Sequence, residues 1–243
     1  MKRLGYVFGF GLALLLSIGL FLGSAEAAPA EANNVFDLSA MEFAEELGIG
    51  WNLGNSLDAY YNGVSSETAW NNPTITRELI QTVADAGFTT IRIPVTWFGH
   101  IDEDNDFEIR PGQLARVREV TEWALDAGMY AIVNVHHDGN LDIGPSWLYI
   151  EDYRHFSSNW QWVDWVGSDV LERINQEFIR EKFAAVWMQI ADYFNDVDGR
   201  LIFEGFNELH ELWQWGGPTV PTSMYYLNVL NQIFVDTVRA SIM

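Results

Sequence analysis

The stretch that decides the fold is YAIVNV at residues 130–135. This run is almost continuously apolar, which is typical of a strand in a parallel sheet that is covered on both faces. Three further short apolar runs recur along the chain, at residues 49–53, 90–95 and 201–206. Strands of this kind, separated by long connections, predict an α/β domain built on a parallel sheet.

A segment with the helical spacing of apolar residues follows each of these strands, at residues 74–86, 111–127, 175–194 and 223–240. Three dipeptides predict helix ends, because glycine readily adopts the conformation that follows a helix: Ala86-Gly87, Ala127-Gly128 and Asp198-Gly199. Four βα units result. A doubly wound sheet fits this alternation too, but no Gly-x-Gly-x-x-Gly motif follows the first strand. We therefore expect a (β/α)8 barrel of which this chain supplies about the first four units.

The first residues predict export. Lys2 and Arg3 precede an apolar run at residues 4–22, and Ala25 and Ala27 are the small residues that signal peptidase requires. We expect a signal peptide at 1–27, an N-terminal lead-in at 28–46 and a partial catalytic domain at 47–243. A membrane anchor is the alternative, although the run barely approaches the length of a membrane span. The prediction is a secreted, extracellular protein that keeps no membrane contact after cleavage.

The charge of the chain limits its partners. The formal net charge is −21 at pH 7, which disfavours nucleic acid and anionic membranes but is indifferent to an uncharged polysaccharide. The chain contains no cysteine, so disulfides and thiolate chemistry are excluded, and an exported domain of this kind must be held together by its core. No residue pattern predicts an oligomeric state.

Polar residues follow the predicted strands at the point where each strand ends. Arg92 lies near the end of the second strand, His136 and His137 follow the third, and Asn207 and Glu208 follow the fourth. Active sites of βα barrels gather at the carboxyl ends of the strands. The sequence therefore predicts that these groups meet at one rim.

Four segments, in order, resemble glycoside hydrolase family five. LIFEGFNE at 201–208 resembles the fourth-strand signature, GWNLGN at 50–55 the first-strand motif of the endoglucanases, TIRIPV at 90–95 the second strand, and VNVHH at 133–137 the third. The similarity spans about residues 47–215. The sequence departs from the family pattern at Leu209, where proline is common.

The resemblance implies a role for each residue at the rim. Glu208 would be the general acid/base, with a pKa raised by partial burial and by a neighbouring nucleophile. Asn207 would bind the sugar 2-hydroxyl, and Arg92 would lie beneath the nucleophile and keep it ionised. His136 and His137 would donate hydrogen bonds near the cleaved sugar. No cofactor is implied.

Substrate contacts are expected from two further places. We expect Asn52 and Asn55 in the first-strand motif to bind the glucan. The long loop after the third strand is rich in aromatic residues, on which pyranose rings can stack, and we expect Trp147 to bind sugar. The loop contains Trp147, Tyr149, Tyr153, Phe156, Trp160, Trp162 and Trp165.

Other polar residues favour structural roles. Glu204 shares side-chain parity with Glu208, so we expect it to point into the barrel and pair with a cation. A metal site at His136 and His137 is disfavoured, since adjacent strand residues point to opposite faces and no His-Glu-x-x-His helix is present. Asp138, Asp142 and Glu211 are expected to be solvated loop carboxylates.

The leading hypothesis is an endo-acting β-1,4-glucanase that works with retention on cellulose or related β-glucans. A mannanase, xylanase or xyloglucanase of the same fold is the alternative among enzymes, and a non-catalytic carbohydrate-binding protein is the alternative outside them. The family draws its nucleophile from the seventh barrel strand. We therefore expect this chain to be a fragment that is inactive alone.

Overall fold

The computed structural model describes residues 37–139, 155–156, 162–163, 168–209 and 221–242. The helices in this part of the chain are α1 (Ala40–Leu47), α2 (Arg77–Asp85), α3 (Pro111–Asp126), α4 (Ser168–Tyr193) and α5 (Pro221–Ile242). The strands there are β1 (Gly50–Asn52), β2 (Tyr60–Tyr61), β3 (Val64–Ser65), β4 (Thr90–Ile93), β5 (Ile101–Asp102), β6 (Glu108–Ile109), β7 (Tyr130–Asn134), β8 (His155–Phe156), β9 (Trp162–Val163) and β10 (Leu201–Glu204). A 3₁₀ turn follows β7 at His137–Gly139.

The central feature is a four-stranded sheet in the order β1-β4-β7-β10, with every pair parallel. Each strand lies beside the strand of the preceding βα unit, so the order in the sheet follows the order in the chain, as it does in a (β/α)8 barrel. A doubly wound sheet would instead reverse its strand order at a switch point, and the described strands contain no such reversal. The four predicted strands and the βα alternation are confirmed.

The two faces of the sheet differ in polarity. Ile91 and Ile93 of β4 are completely buried in the core, whereas Arg92 between them is half-buried and points to the other face. Pairing places Asn52 of β1 opposite Arg92 and Glu204 of β10 opposite Asn134 of β7. One face therefore packs on helices, and the other carries a row of polar groups.

The helices cover the apolar face. The buried side of α3 presents Leu114, Val117, Val120, Ala124 and Leu125. On α4, the indole of Trp187 is completely buried and packs edge-on against Phe203 of β10 and Phe234 of α5, with ring centroids 5.6 and 4.6 Å apart. These contacts attach the fourth strand to the helix before it and the helix after it.

Two of the three predicted helix stops are confirmed. Gly87 and Gly128 follow the last turns of α2 and α3 and have φ of 94° and 86°, in the left-handed region that suits glycine. Asp198-Gly199 lies in the turn just before β10, as predicted, although α4 itself ends earlier, at Tyr193.

The connections contain elements that the sequence did not predict. Short antiparallel hairpins, β2–β3, β5–β6 and β8–β9, lie in the connections after β1, β4 and β7. Helix α1 lies largely inside the predicted lead-in and is capped by Ser39, whose hydroxyl and backbone form a capping box with Glu42.

The predicted signal peptide at 1–27 lies outside the described residues. Among the helices that the structure describes, none combines the length and the apolar character needed to cross a bilayer.

Candidate active site

Arg92 is the centre of a polar network at the carboxyl ends of the strands. Its Nε and Nη2 donate to the two carboxylate oxygens of Glu204 at 2.7 and 2.6 Å. Nη2 also donates to Oδ1 of Asn207 at 2.9 Å, and Nη1 donates to Oδ1 of Asn52 at 3.1 Å. The guanidinium group thus joins β1, β4 and the end of β10.

Glu204 is the counter-ion of Arg92, as predicted from its parity. Burial disfavours the ionised carboxylate, but the hydrogen bonds and positive charge of Arg92 outweigh it and hold the pKa of Glu204 below its usual 4.5. The carboxylate also accepts from Nδ2 of Asn134 at 3.2 Å. Because it is engaged on both oxygens, Glu204 has a structural role in this network.

Asn207 and Glu208 extend the network towards solvent. The backbone N–H of Asn207 donates to the carbonyl of Val135 at 2.9 Å, which continues the pairing with the third strand beyond the sheet. Glu208 is exposed and has φ of 36°, in the left-handed region. The expected partial burial of Glu208 is not found, because the residue is exposed in the part of the chain that the structure describes.

The two histidines after β7 lie side by side, with ring centroids 4.5 Å apart. The expectation that they point to opposite faces was wrong. The strand ends at Asn134 and His137 begins a 3₁₀ turn, so side-chain alternation no longer applies at these positions. Both imidazoles therefore face the same part of the rim.

Asp58 completes this group, and sequence reasoning missed it. Its Oδ2 lies 4.0 Å from Nε2 of His136 and 3.7 Å from Nε2 of His137. Asp58 is only 3% exposed. The three potential ligand atoms, one carboxylate oxygen and two imidazole nitrogens, lie within 4.8 Å of one another. Ligands of this type and spacing can bind a divalent cation.

The ionisation of the trio follows from its burial and its hydrogen bonds. Burial disfavours the charge on Asp58, but the polar contact with the His137 ring and the hydrogen bonds from the backbone N–H groups of Ser56 and Asn55 outweigh it and keep the pKa of Asp58 below the usual 3.8. Burial is the largest effect on His136 and, with repulsion from His137, lowers its pKa to about 4. His136 is therefore neutral at pH 7.

Buried hydroxyl and backbone groups hold Asp58 against the histidines. The hydroxyl of Thr96, completely buried, donates to the Asp58 carbonyl at 2.9 Å and accepts from the backbone N–H of His137 at 3.3 Å. The one available signal was position, since Asp58 lies three residues after the first-strand motif at 50–55. Such a loop site gives no periodic pattern.

Asp138 was expected to be solvated, and this was wrong. It is completely buried, and its Oδ2 accepts from the backbone N–H of Trp97 at 3.0 Å. The carboxylate thereby ties the end of the third strand to the loop after the second. Asp142 and Glu211 lie outside the described residues.

Aromatic rings border His137 on the outer side. The rings of Tyr60 and Trp70 each have a centroid 5.6 Å from that of His137. Trp70 donates from Nε1 to the Tyr60 carbonyl at 3.0 Å and remains 37% exposed. Trp70 therefore offers an exposed indole beside the histidines. The sequence had predicted the sugar-stacking aromatic residues in the third loop instead. Trp147 lies outside the described residues.

The first-strand asparagines lie at the rim with different contacts. Asn52 is exposed and accepts from Arg92, as described above. Asn55 is exposed in a left-handed conformation, with φ of 60°, and its carbonyl accepts from Nδ2 of Asn72 at 2.7 Å. Sugar binding by either residue stays a prediction.

Comparison with known proteins identifies the family of this chain. The family described as "Cellulase (glycosyl hydrolase family 5)" matches residues 57–241. The chain belongs to glycosyl hydrolase family 5. Members of this family fold as (β/α)8 barrels, which agrees with the consecutive βα units of this chain.

Relatives in family 5 resemble this chain over about half of their own length. Endoglucanase A of Paenibacillus barcinonensis is 40% identical over 233 residues, which cover 94% of this chain and 51% of that protein. Solved structures match this chain as well. The family 5 xyloglucanase from Paenibacillus pabuli is 40% identical, with a TM-score of 0.69, over 81% of this chain and 48% of the other. The GH5-4 broad specificity endoglucanase from Bacteroides salanitronis is 41% identical, with a TM-score of 0.70, over 82% and 49%.

Proposed function

We propose that this chain carries the general acid/base half of a secreted endo-β-1,4-glucanase that cleaves β-glucans with retention. The observation that carries the proposal is the exposed carboxylate of Glu208, which directly follows an asparagine fixed by Arg92. Endoglucanases and a xyloglucanase among the relatives support the substrate class.

The position of Glu208 supports its proposed role in exchanging a proton with the substrate. In retaining hydrolysis the acid protonates the glycosidic oxygen as the bond breaks, and the resulting carboxylate then deprotonates the water that attacks the intermediate. A group with this task must reach the substrate from the rim. The exposure of Glu208 at the carboxyl end of the fourth strand meets that requirement.

The contact of Asn207 with Arg92 supports a role for Asn207 in sugar recognition. The guanidinium group of Arg92 donates a hydrogen bond to Oδ1 of Asn207, which leaves the amide nitrogen Nδ2 to donate to a substrate. A hydrogen bond from Nδ2 to the sugar 2-hydroxyl that strengthens as the ring flattens would contribute to rate more than to ground-state affinity.

Retention also requires a second carboxylate roughly 5 Å from the acid/base. Of the carboxylates already placed at this rim, Glu204 is held by Arg92 and Asn134, and Asp58 by backbone N–H groups and His137. We propose that neither is the nucleophile and that it comes from outside the described residues. The chain spans about half the length of its relatives, and on this proposal it does not hydrolyse glucans without the other part of a barrel.

The acid/base assignment is tested by Glu208→Gln in a form with the complete barrel. Gln keeps the shape of the side chain but cannot transfer a proton, so we expect turnover on mixed-linkage β-glucan to fall by about 10²–10⁴-fold. Binding of cello-oligosaccharides, measured by calorimetry, should persist. Glu46→Gln is the matched control, because Glu46 is an exposed residue of α1 before the first strand. Activity of Glu208→Gln within a few fold of the parent would exclude Glu208 as the acid/base.

The mode of attack is tested by viscosity. An open rim with an exposed indole would hold the middle of a chain, so the viscosity of carboxymethyl cellulose should drop faster than reducing ends accumulate. Release of monosaccharide from chain ends alone would contradict endo cleavage. Parallel assays on xyloglucan address the second candidate substrate, which xyloglucan-cleaving relatives support. Oligosaccharide binding without any hydrolysis would instead favour the non-catalytic alternative.

We also propose that the segment at 1–27 is removed during secretion. The basic start, the apolar run and the alanines at its end support this. Sequencing the amino terminus of the exported protein tests it, and a mature form that retains Lys2 would contradict it.

A further inference from the structure

The side chain of Asn134 has one possible orientation. It is completely buried at the end of β7, and its Oδ1 lies 3.1 Å from the backbone nitrogen of Val95. A backbone N–H can only donate, so the atom facing it must be the amide oxygen. The Nδ2 group then lies 3.2 Å from Oε1 of Glu204, an ionised acceptor, which agrees with the same orientation.

This orientation dictates the tautomer of His136. Nδ2 of Asn134 lies 3.1 Å from Nδ1 of His136, and an amide NH₂ group can only donate. Nδ1 must therefore accept with its lone pair. In a neutral imidazole the single proton then resides on Nε2. A nitrogen that accepts carries no proton, so the contact with Asn134 itself requires the neutral form of His136.

We propose that Asn134 is a positioning residue that locks His136 as the Nε2–H tautomer and so makes the Asp58, His136 and His137 trio a poor site for divalent metals. Nε2 of His136 lies 4.0 Å from the Asp58 carboxylate, which is beyond hydrogen-bond distance. Its proton remains available for an oxygen of a ligand. The catalytic consequence, a donor offered to the sugar, rests on the proposed function, whereas the tautomer and the metal affinity do not.

The effect on metal binding follows from the second nitrogen. A metal at Nε2 of His136 needs a lone pair there, which moves the proton to Nδ1. Metal-bound histidines almost always donate that other N–H to a carboxylate, a carbonyl or water. Here it would meet the NH₂ group of Asn134, so two donors would face each other. Rotating the amide would in turn set its oxygen against Glu204 and its NH₂ against the Val95 N–H.

The tautomer is measured directly by ¹⁵N NMR of the histidine rings in the full chain. We expect Nδ1 of His136 to resonate as an unprotonated nitrogen and Nε2 as a protonated one. His100 is an internal reference, because its Nε2 lies 3.1 Å from the Ser65 carbonyl and must carry the proton there. A protonated Nδ1 on His136 would overturn the proposal without any variant being made.

Metal affinity is tested with Asn134→Asp, which replaces the donor with an acceptor at nearly constant shape. The new carboxylate favours a proton on Nδ1 and frees Nε2. We expect Zn²⁺ affinity, measured by calorimetry, to rise by about 10-fold or more, and the gain to vanish when Asp58→Asn is added. The NMR spectrum should show the proton of His136 moved to Nδ1.

A second variant protects the test against misfolding. The substitution brings two carboxylates together at Glu204, so Asn134→Asp combined with Glu204→Gln should be made in parallel and compared with Glu204→Gln alone. Tight Zn²⁺ binding by the parent chain that is lost in Asp58→Asn would refute the proposal. Unchanged affinity and tautomer in both Asn134→Asp chains would refute it equally. Neither readout depends on hydrolysis, so failure of the glucanase assignment would be seen separately.

Discussion

Replacing Arg92 with methionine should destabilise the fold more than replacing any surface arginine. Arg92→Met keeps a long apolar stem but removes the charge and the contacts to Glu204, Asn207 and Asn52. The Glu204 carboxylate would then lose its bidentate partner and keep one hydrogen bond, from Asn134. A half-buried charge without compensation is the main source of the cost.

The magnitude follows from the exposure of the pair. Removing one partner of a fully buried ion pair costs roughly 3–5 kcal/mol. The side chains of Arg92 and Glu204 retain 26% and 31% exposure, so water can solvate part of the abandoned charge. We therefore expect a loss of about 2–3 kcal/mol at pH 7. Arg77→Met is the matched control, because Arg77 and Asp126 are 56% and 62% exposed, and such pairs contribute about 0–1 kcal/mol.

Urea unfolding of the full chain and both variants measures the difference. The pKa of Glu204 is lowered in the folded state, so the contribution of the pair is complete above its usual pKa of 4.5 and disappears as the pH falls through the folded value. The cost of Arg92→Met should accordingly shrink at pH 3. Adding Glu204→Gln should recover part of the loss at pH 7. A cost no larger than that of Arg77→Met at pH 7 would refute the assigned role of Arg92.

Two other substitutions probe the loops around the rim. Gly99→Ala should lower the free energy of unfolding by about 3 kcal/mol, because Gly99 has φ of 76° and a Cβ there would lie 2.5 Å from the carbonyl oxygen of Gly63. Gly87→Ala, at φ of 94° with open space around it, should lower it by only about 1 kcal/mol. Thermal unfolding compares the two variants, and equal losses would contradict the steric argument. Asp58→Asn should lower the free energy of unfolding by about 1–3 kcal/mol at pH 7. Because the pKa of Asp58 is lowered, that loss should fade below its usual 3.8, and a loss that is constant from pH 7 to pH 3 would show that the charge is not responsible.

Local signals in the sequence predicted the framework well. The strand at 130–135 and the glycines after α2 and α3 were identified because continuous apolar runs and left-handed helix ends are properties of neighbouring residues. The pairing of Glu204 with a cation followed from parity along one strand, and Arg92 is that cation. Each of these predictions needed only a few consecutive residues.

Features that depend on distant contacts were not predictable in this way. Asp58 reaches the histidines from a loop after the first strand, and no pattern marks such a residue in advance. The faces of His136 and His137 depend on where the strand ends, and the alternation rule no longer holds at these two positions, which follow the last strand residue, Asn134. The burial of Asp138 likewise arises from Trp97, 41 residues away in the chain.

The network around Arg92 also has a consequence for the order of folding events. Its contacts to Glu204 and Asn207 join residues 112 and 115 positions apart. Closing loops of that length carries an entropic cost that must be met before the contact forms. While only the first two βα units are folded, the guanidinium of Arg92 has no counter-charge from the fourth strand. The pairing of the strands can therefore spread from β1 to β7 early, whereas the polar rim is completed only when β10 docks.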